Sequence, residues 1–131
     1  MVAVAQHPNI ELMTYSEVVR VTGYIGNFTV TIKKKAKYVD WSLCTGCGTC
    51  WEKCPSKKIK DEFEMNMSNR TAIHKLFPQA VPGKPRIDAA NCTKLTSGKC
   101  GICEKLCPTQ AIRFDDKDEL VDVEVGAMVV A

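Results

Sequence analysis

From Cys44 to Pro55 the chain runs C-x2-C-x2-C-x3-C-P, and this spacing limits its fold more than any other stretch of the 131 residues. Two residues between successive cysteines make a tight turn that points three sulfurs at one centre. Gly46 and Gly48 supply the positive φ and close backbone approach such a loop demands, and its N–H groups then face the same centre. The fourth cysteine, Cys54, lies past the turn at the expected start of a helix. Pro55 suits the first turn of that helix, where its missing donor costs nothing.

The run is written twice. Val39 to Cys44 matches Ile87 to Cys92 at an offset of 48, and Cys47, Cys50, Cys54, Pro55 and Ile59 match Cys100, Cys103, Cys107, Pro108 and Ile112 at an offset of 53. Runs of this spacing hold [4Fe-4S] clusters, and in them the fourth cysteine ligates the other cluster. The predicted quartets are therefore Cys44, Cys47, Cys50 and Cys107 for one cluster, and Cys92, Cys100, Cys103 and Cys54 for the second. In the second copy seven residues, Thr93 to Lys99, separate Cys92 from Cys100, so a loop must bulge there. Without Cys92 the second site would have only three thiolates, which keeps it in the set.

Other uses of eight cysteines fit less well. Zinc draws two separated C-x2-C pairs rather than four cysteines within eleven residues. A Rieske centre needs two histidines, and His7 and His74 stand far from any C-x-H pair, so they read as surface or packing residues. A disulfide scaffold belongs to secreted chains, whereas the N-terminus has neither a basic n-region nor a long apolar h-region. Tyr38, Trp41 and Trp51 flank the cysteine runs and read as shields that keep water from the clusters.

The formal charge of +3 counts every thiol as neutral. Two oxidised clusters, each with about two positive charges against four thiolates, bring the loaded chain to about −1, which removes the case for nucleic acid as a partner. Lys33-Lys34-Lys35-Ala36-Lys37 reads as a solvated strand end, with docking to an acidic redox partner as the alternative. With 45% apolar residues the chain is not a disordered segment. Its apolar runs fall far short of the roughly 20 residues of a membrane span. No nucleophile and base pair, Gly-rich phosphate loop or convergent carboxylate set stands out, so no catalytic residue is assigned.

The flanks read as β-structure. Ile10 to Met13 suggests a short strand, and Thr14 with Glu17 offers a helix start or a tight turn. Val18 to Thr22 and Phe28 to Lys33, joined through Gly23 to Asn27, predict a hairpin. Leu120, Val121, Val123 and Val125 alternate with acids, and after Gly126 the wholly apolar Ala127 to Ala131 calls for burial on both faces. That run ends without a cap or polar residue, so the chain reads as an excised piece. Between the two copies, Lys60 to Arg86 is an insertion, with a possible helix from Asn69 to Leu76 capped by Ser68.

Three stretches resemble a known family: Asn9-Ile-Glu-Leu-Met-Thr-Tyr-Ser-Glu-Val18, Val21-Thr-Gly-Tyr-Ile-Gly-Asn-Phe28 and Tyr38-Val-Asp-Trp-Ser-Leu-Cys-Thr-Gly-Cys-Gly-Thr-Cys-Trp51. Pro78-Gln-Ala-Val-Pro82 and Val125-Gly-Ala-Met-Val-Val-Ala131 fit it too. The family is the A-subunit of heterodisulfide reductase from methanogenic archaea, and the likeness covers nearly the whole chain. It implies an α+β fold, in which a two-[4Fe-4S] ferredoxin-like (βαβ)2 core is inserted at about residues 36–115. Residues 1–35 and 116–131 would be the β flanks of the parent flavoprotein domain, pairing into a small antiparallel sheet. It further implies electron relay to or from the flavin of an oxidoreductase that reduces the CoM-S-S-CoB heterodisulfide. The expected partners are the other subunits of that complex and redox partner proteins, in a reducing, anaerobic cytoplasm. FAD is expected in the full-length parent only, because this chain lacks the G-x-G-x-x-G fingerprint. A free-standing 2[4Fe-4S] ferredoxin is the alternative.

Overall fold

The computed structural model describes residues 2–130, so Met1 and Ala131, the ends of the two predicted flanks, lie outside the described residues. The elements in order are α1 (Val2–Ala5), β1 (Ser16–Tyr24), β2 (Asn27–Lys34), α2 (Thr49–Glu52), β3 (Ile59–Lys60), β4 (Asn69–Arg70), β5 (Ile73–His74), β6 (Arg86–Ile87), α3 (Thr93–Ser97), α4 (Ile102–Leu106) and β7 (Glu119–Val125). They form a mixed α/β fold with small antiparallel sheets. Among the described residues no helix is long and apolar enough to cross a membrane.

The flanks zip together as expected. β2 is the central strand of a three-stranded sheet in the order β1-β2-β7. Its alternation decides which side is apolar: Phe28, Val30 and Ile32 lie opposite Val125, Val123 and Val121, and Val21 and Val18 lie opposite Val30 and Ile32. Residues directly opposite share a face, so the apolar set gathers on one side. Thr31 donates to Asp122 at 2.6 Å on the other. The hairpin is tighter than the sequence predicts, because Tyr24 already pairs with Asn27. Only Ile25 and Gly26 make the turn, with Gly26 at φ 88°.

Below the sheet the chain passes through a neck tied by two carboxylates. Asp118 accepts from the Ala36 N–H at 2.9 Å and pairs with Lys33 at 2.7 Å. Asp116 accepts from the N–H groups of Lys37 and Tyr38 at 2.9 and 3.0 Å. Lys35 pairs with Glu17 at 2.6 Å, so the basic stretch is a strand end with two of its charges matched, those of Lys33 and Lys35.

The core lies beneath the neck and is built from two equivalent contacts. Val39 bridges Ile112 antiparallel, with the Asp40 N–H donating to the Ala111 carbonyl at 2.6 Å. Ile87 pairs with Ile73 in the β5–β6 ladder, with the Asp88 N–H donating to the Ala72 carbonyl at 2.8 Å. Val39, Ile73 and Ile87 are among the largest fully buried side chains, and α2 packs against α4.

Several sequence expectations are corrected here. Ile59 is not the counterpart of Ile112; Ile73 is. Three residues separate Cys107 from Ala111 but seventeen separate Cys54 from Ala72, so the insertion begins earlier and spends its first part on the β3–β4 pair. The helix expected over Asn69 to Leu76 is absent, because Ile73 is drawn into the buried ladder and Arg70 into β4, and tertiary pairing overrides local propensity. Ile10 to Met13 is not a strand and Thr14 starts no helix; Tyr15 turns at φ 56° and β1 begins at Ser16. The bulge after Cys92 is a helical turn, α3, closed by Gly98 at φ 73°. The helices precede the fourth cysteines rather than follow them, since Pro55 and Pro108 lack the N–H that would continue a helix. After Gly126 the described part of the apolar tail, residues 127–130, is exposed, with Val129 and Val130 both 95% accessible, and forms no strand.

Truncating Ile73, which is 2% exposed, to alanine should cost about 2–5 kcal/mol in denaturant unfolding. Leu120→Ala on the exposed sheet should stay within about 0.5 kcal/mol. Equal losses at the two sites would contradict this placement of the core.

Candidate metal centre

The two cross-half contacts decide which cysteines meet. Val39 precedes the first run and Ile112 follows the second, so their bridge carries Cys107 to the first run. Ile73 follows Cys54 and Ile87 precedes Cys92, so the second ladder carries Cys54 to the other run. Accordingly one cavity is lined by Cys44, Cys47, Cys50 and Cys107, and another by Cys54, Cys92, Cys100 and Cys103. Each leaves a small space of about 20 Å³ between its thiols, the same in both halves. All eight cysteines are thus brought together, four around each cavity.

Among the described residues, neither cavity is lined by a carboxylate or an imidazole. Val39, Trp51 and Ile112 wall the first, and Ala72, Ile73 and Ile87 wall the second. A donor set of thiols alone in apolar walls suits soft metals and iron–sulfur centres. Among the described residues no three His, Cys, Asp or Glu side chains close around a single ion, whereas each quartet surrounds a space. The donor chemistry therefore fits a cluster better than one zinc.

The local backbone prepares the first loop. Gly46 and Gly48 adopt φ 75° and 94°, and a Cβ on Gly48 would sit 3.0 Å from the Trp51 ring. Asp40 accepts from the Ser42 N–H at 2.9 Å, and Asp88 repeats the turn with the Ala90 N–H at 3.2 Å. Of the three aromatic residues predicted to shield the clusters, Trp51 lines the first cavity. Tyr38 and Trp41 instead pack against the core, and the Trp41 indole donates to the Pro85 carbonyl at 2.8 Å.

Burial dominates two thiols, pushing Cys50 up to about 12 and Cys103 up to about 11. Cys47 is exposed, and hydrogen bonds from the Thr49 backbone and hydroxyl lower it. At Cys107 burial pulls upward, but bonds from Ala111 and Thr109 outweigh it and the net shift is down. These thiols give up their protons when a metal takes the sulfur. Sequence reasoning missed these hydroxyl contacts, although a Thr stands two residues after both Cys47 and Cys107.

Two further features escaped the sequence. Arg70, its side chain only 8% exposed, joins Glu62 at 2.6 Å to Asp88 at 3.0 Å, tying the insertion to the turn ahead of Cys92. Hydrogen bonding to Arg70 holds Glu62 down to about 2. His74 is buried with both ring nitrogens unpartnered, and burial, then Arg70 and Arg86, lower its pKa. It lines neither thiol cavity, in keeping with a packing role; His7 is exposed.

Gly48→Ala should destabilise the loaded protein by more than Gly98→Ala. Both pay the left-handed penalty of about 1–2 kcal/mol, but only Gly48 meets a ring, while nothing lies within 4 Å of Gly98. Thermal unfolding under anaerobic conditions reads the difference.

Comparison with known proteins follows the same division. Residues 37–57 and 84–112 each match a 4Fe-4S binding domain. The chain is 48% identical over 131 residues to the iron-sulfur A-subunit of the CoB–CoM heterodisulfide reductase of Methanocaldococcus jannaschii, covering all of this chain and 19% of that protein. It is 50% identical to the second iron-sulfur A-subunit of the Methanopyrus kandleri enzyme, with the same coverage. It is 44% identical to the A-subunit of the H(2):CoB-CoM heterodisulfide,ferredoxin reductase of Methanothermobacter thermautotrophicus, again over all of this chain and 19% of the relative. Over its whole length the chain is a homologue of a segment that makes up about one fifth of the A-subunits of heterodisulfide reductases, and that segment holds two 4Fe-4S binding domains.

Proposed function

We propose that the chain is the two-cluster electron-transfer module of a heterodisulfide reductase A-subunit. The observation that carries this reading is the crossing of the cysteine runs, each cavity taking three thiols from one run and the fourth from the other, which is how this motif shares its clusters. Cys44, Cys47, Cys50 and Cys107 would hold the first [4Fe-4S] cluster, and Cys92, Cys100, Cys103 and Cys54 the second. Each cluster, when bound, supplies one reversible electron. The protein's residues hold the sulfurs, exclude water through Trp51 and the aliphatic walls, and aim backbone and hydroxyl donors at the thiolates.

Residues 36–115 are read as the (βαβ)2 ferredoxin-like core, supported by the equivalent Val39–Ile112 and Ile87–Ile73 contacts and by the packing of α2 on α4. Residues 1–35 and 116–131 are read as flanks of a parent flavoprotein domain. Identity to the relatives runs through both flanks as well as the core, which favours a module of a longer protein over a free-standing ferredoxin. FAD, the heterodisulfide and the other subunits of the complex would then belong to the parent. A reducing, anaerobic cytoplasm is the setting in which eight such thiols stay reduced.

Anaerobic analysis of the purified chain should give about eight irons and eight acid-labile sulfides, the content of two cubanes; two zinc ions would end this reading. The crossing is tested separately. Cys54→Ser should remove or alter the spectroscopic signal of the cluster held by Cys92, Cys100 and Cys103. Loss confined to the cluster of the first run would refute the assignment.

A further inference from the structure

Resting on the two-cluster reading, we propose that Thr49 and Thr109 are positioning residues that raise the reduction potential of the first cluster above that of the second, so that the Cys44–Cys47–Cys50–Cys107 site takes up an electron first.

The internal repeat serves as its own control. The Thr49 hydroxyl lies 3.6 Å from the Cys47 sulfur, the Thr109 hydroxyl lies 3.6 Å from the Cys107 sulfur, and the Ala111 N–H donates to Cys107 at 3.3 Å. A sulfur that ligates iron has no proton, so each hydroxyl has only the donor role open to it. At an offset of 53 the counterpart of Thr49 is Ile102, which has no hydroxyl. The counterpart of Thr109 is Ser56, whose hydroxyl is engaged 3.1 Å away with Thr93. The counterpart of the Ala111 N–H, that of Ala72, donates to the Ser56 carbonyl at 3.1 Å instead of to a sulfur. One contact is common to both sites and cancels: Cys50 and Cys103 each receive a hydrogen bond from the backbone of the next residue, Trp51 and Glu104.

Reduction adds one negative charge to a cluster and its thiolates, so donors to sulfur and access of water favour the reduced form. Beyond these three donors the first site has the Thr49 backbone N–H on Cys47 and an exposed ligand, Cys47 itself. The second has Cys54, Cys92 and Cys103 buried. Lys94 lines the second cavity and opposes this order. Its ammonium, though, lies over the Phe114 ring at 5.8 Å, partly in solvent, where screening weakens it. Three donors in contact with sulfur outweigh one screened charge.

The test is an anaerobic titration of the cluster-loaded protein with dithionite, followed by electron paramagnetic resonance, with iron and sulfide measured on each sample. Two potentials are expected. In the Thr49→Val, Thr109→Val double variant the higher should fall, shifting the oxidised-to-reduced ratio about tenfold, 59 mV for a one-electron couple. The lower should stay in place, and the Thr49→Ser, Thr109→Ser variant should retain the original value. If the valine variant loses iron, Ile102→Thr decides, because the added hydroxyl should raise the lower potential. Movement of the lower potential in the valine variant, or no movement with both clusters present, overturns the proposal, as does an unmoved lower potential in Ile102→Thr. Wild-type protein with too little iron for two cubanes overturns the cluster reading itself, a separate failure.

Discussion

Two short antiparallel contacts, Val39 with Ile112 and Ile73 with Ile87, are what the rest of the molecule depends on. Each joins the residue before one cysteine run to a residue beyond the other. A chain folded with each run closed on itself would leave Cys54 and Cys107 beside their own neighbours. These bridges place them across the molecule, so the crossing of the two cysteine runs follows from β-pairing, and the pairing in turn follows from four aliphatic side chains that are nearly or wholly removed from water.

The thiols are also part of the core. Among the described residues, three of the nine side chains in the central buried cluster are cysteines, Cys54, Cys92 and Cys103. An interior this small leaves little apolar area to offset chain entropy. Burial pushes the thiols of Cys50 and Cys103 up, which spares the metal-free interior from like charges held close together. Metal binding then supplies folding energy to a core that is marginal without it.

The site was more legible in the sequence than the fold around it. Cysteine spacing is a nearly direct record of geometry, because two residues of turn leave few ways to aim a sulfur, and both quartets follow from the repeat. The hairpin and the closing strand were legible from alternation. The insertion was not. Ile59 sits at the repeat offset and resembles the partner of the second half, yet it is the Ala72-Ile73 pair, separated from Cys54 by seventeen residues, that takes the place of Ala111-Ile112. A two-residue strand has no periodicity to detect, and its identity is set by what it pairs with. Pro55 and Pro108 mislead for a related reason, since proline is as compatible with following a helix as with opening one. Arg70 and the Asp116 and Asp118 contacts join residues far apart in the chain, which no local pattern reports.

The neck between sheet and core has a mechanical consequence. β2 leaves the sheet at Lys34 directly opposite the point where β7 enters it at Glu119, so both strands that join the sheet to the cysteine-bearing body pass through one place, with Arg86 over the Tyr15 ring at 4.5 Å as a further contact beside it. Asp116 and Asp118 clamp the descending strand through three backbone N–H groups. Swinging the body against the sheet would break these bonds together, and an N–H or carboxylate left dry is expensive. The sheet and the thiol cavities therefore behave as a lever and its load: a torque applied to the sheet is delivered to Tyr38 and Val39, the residues that open the first cysteine run.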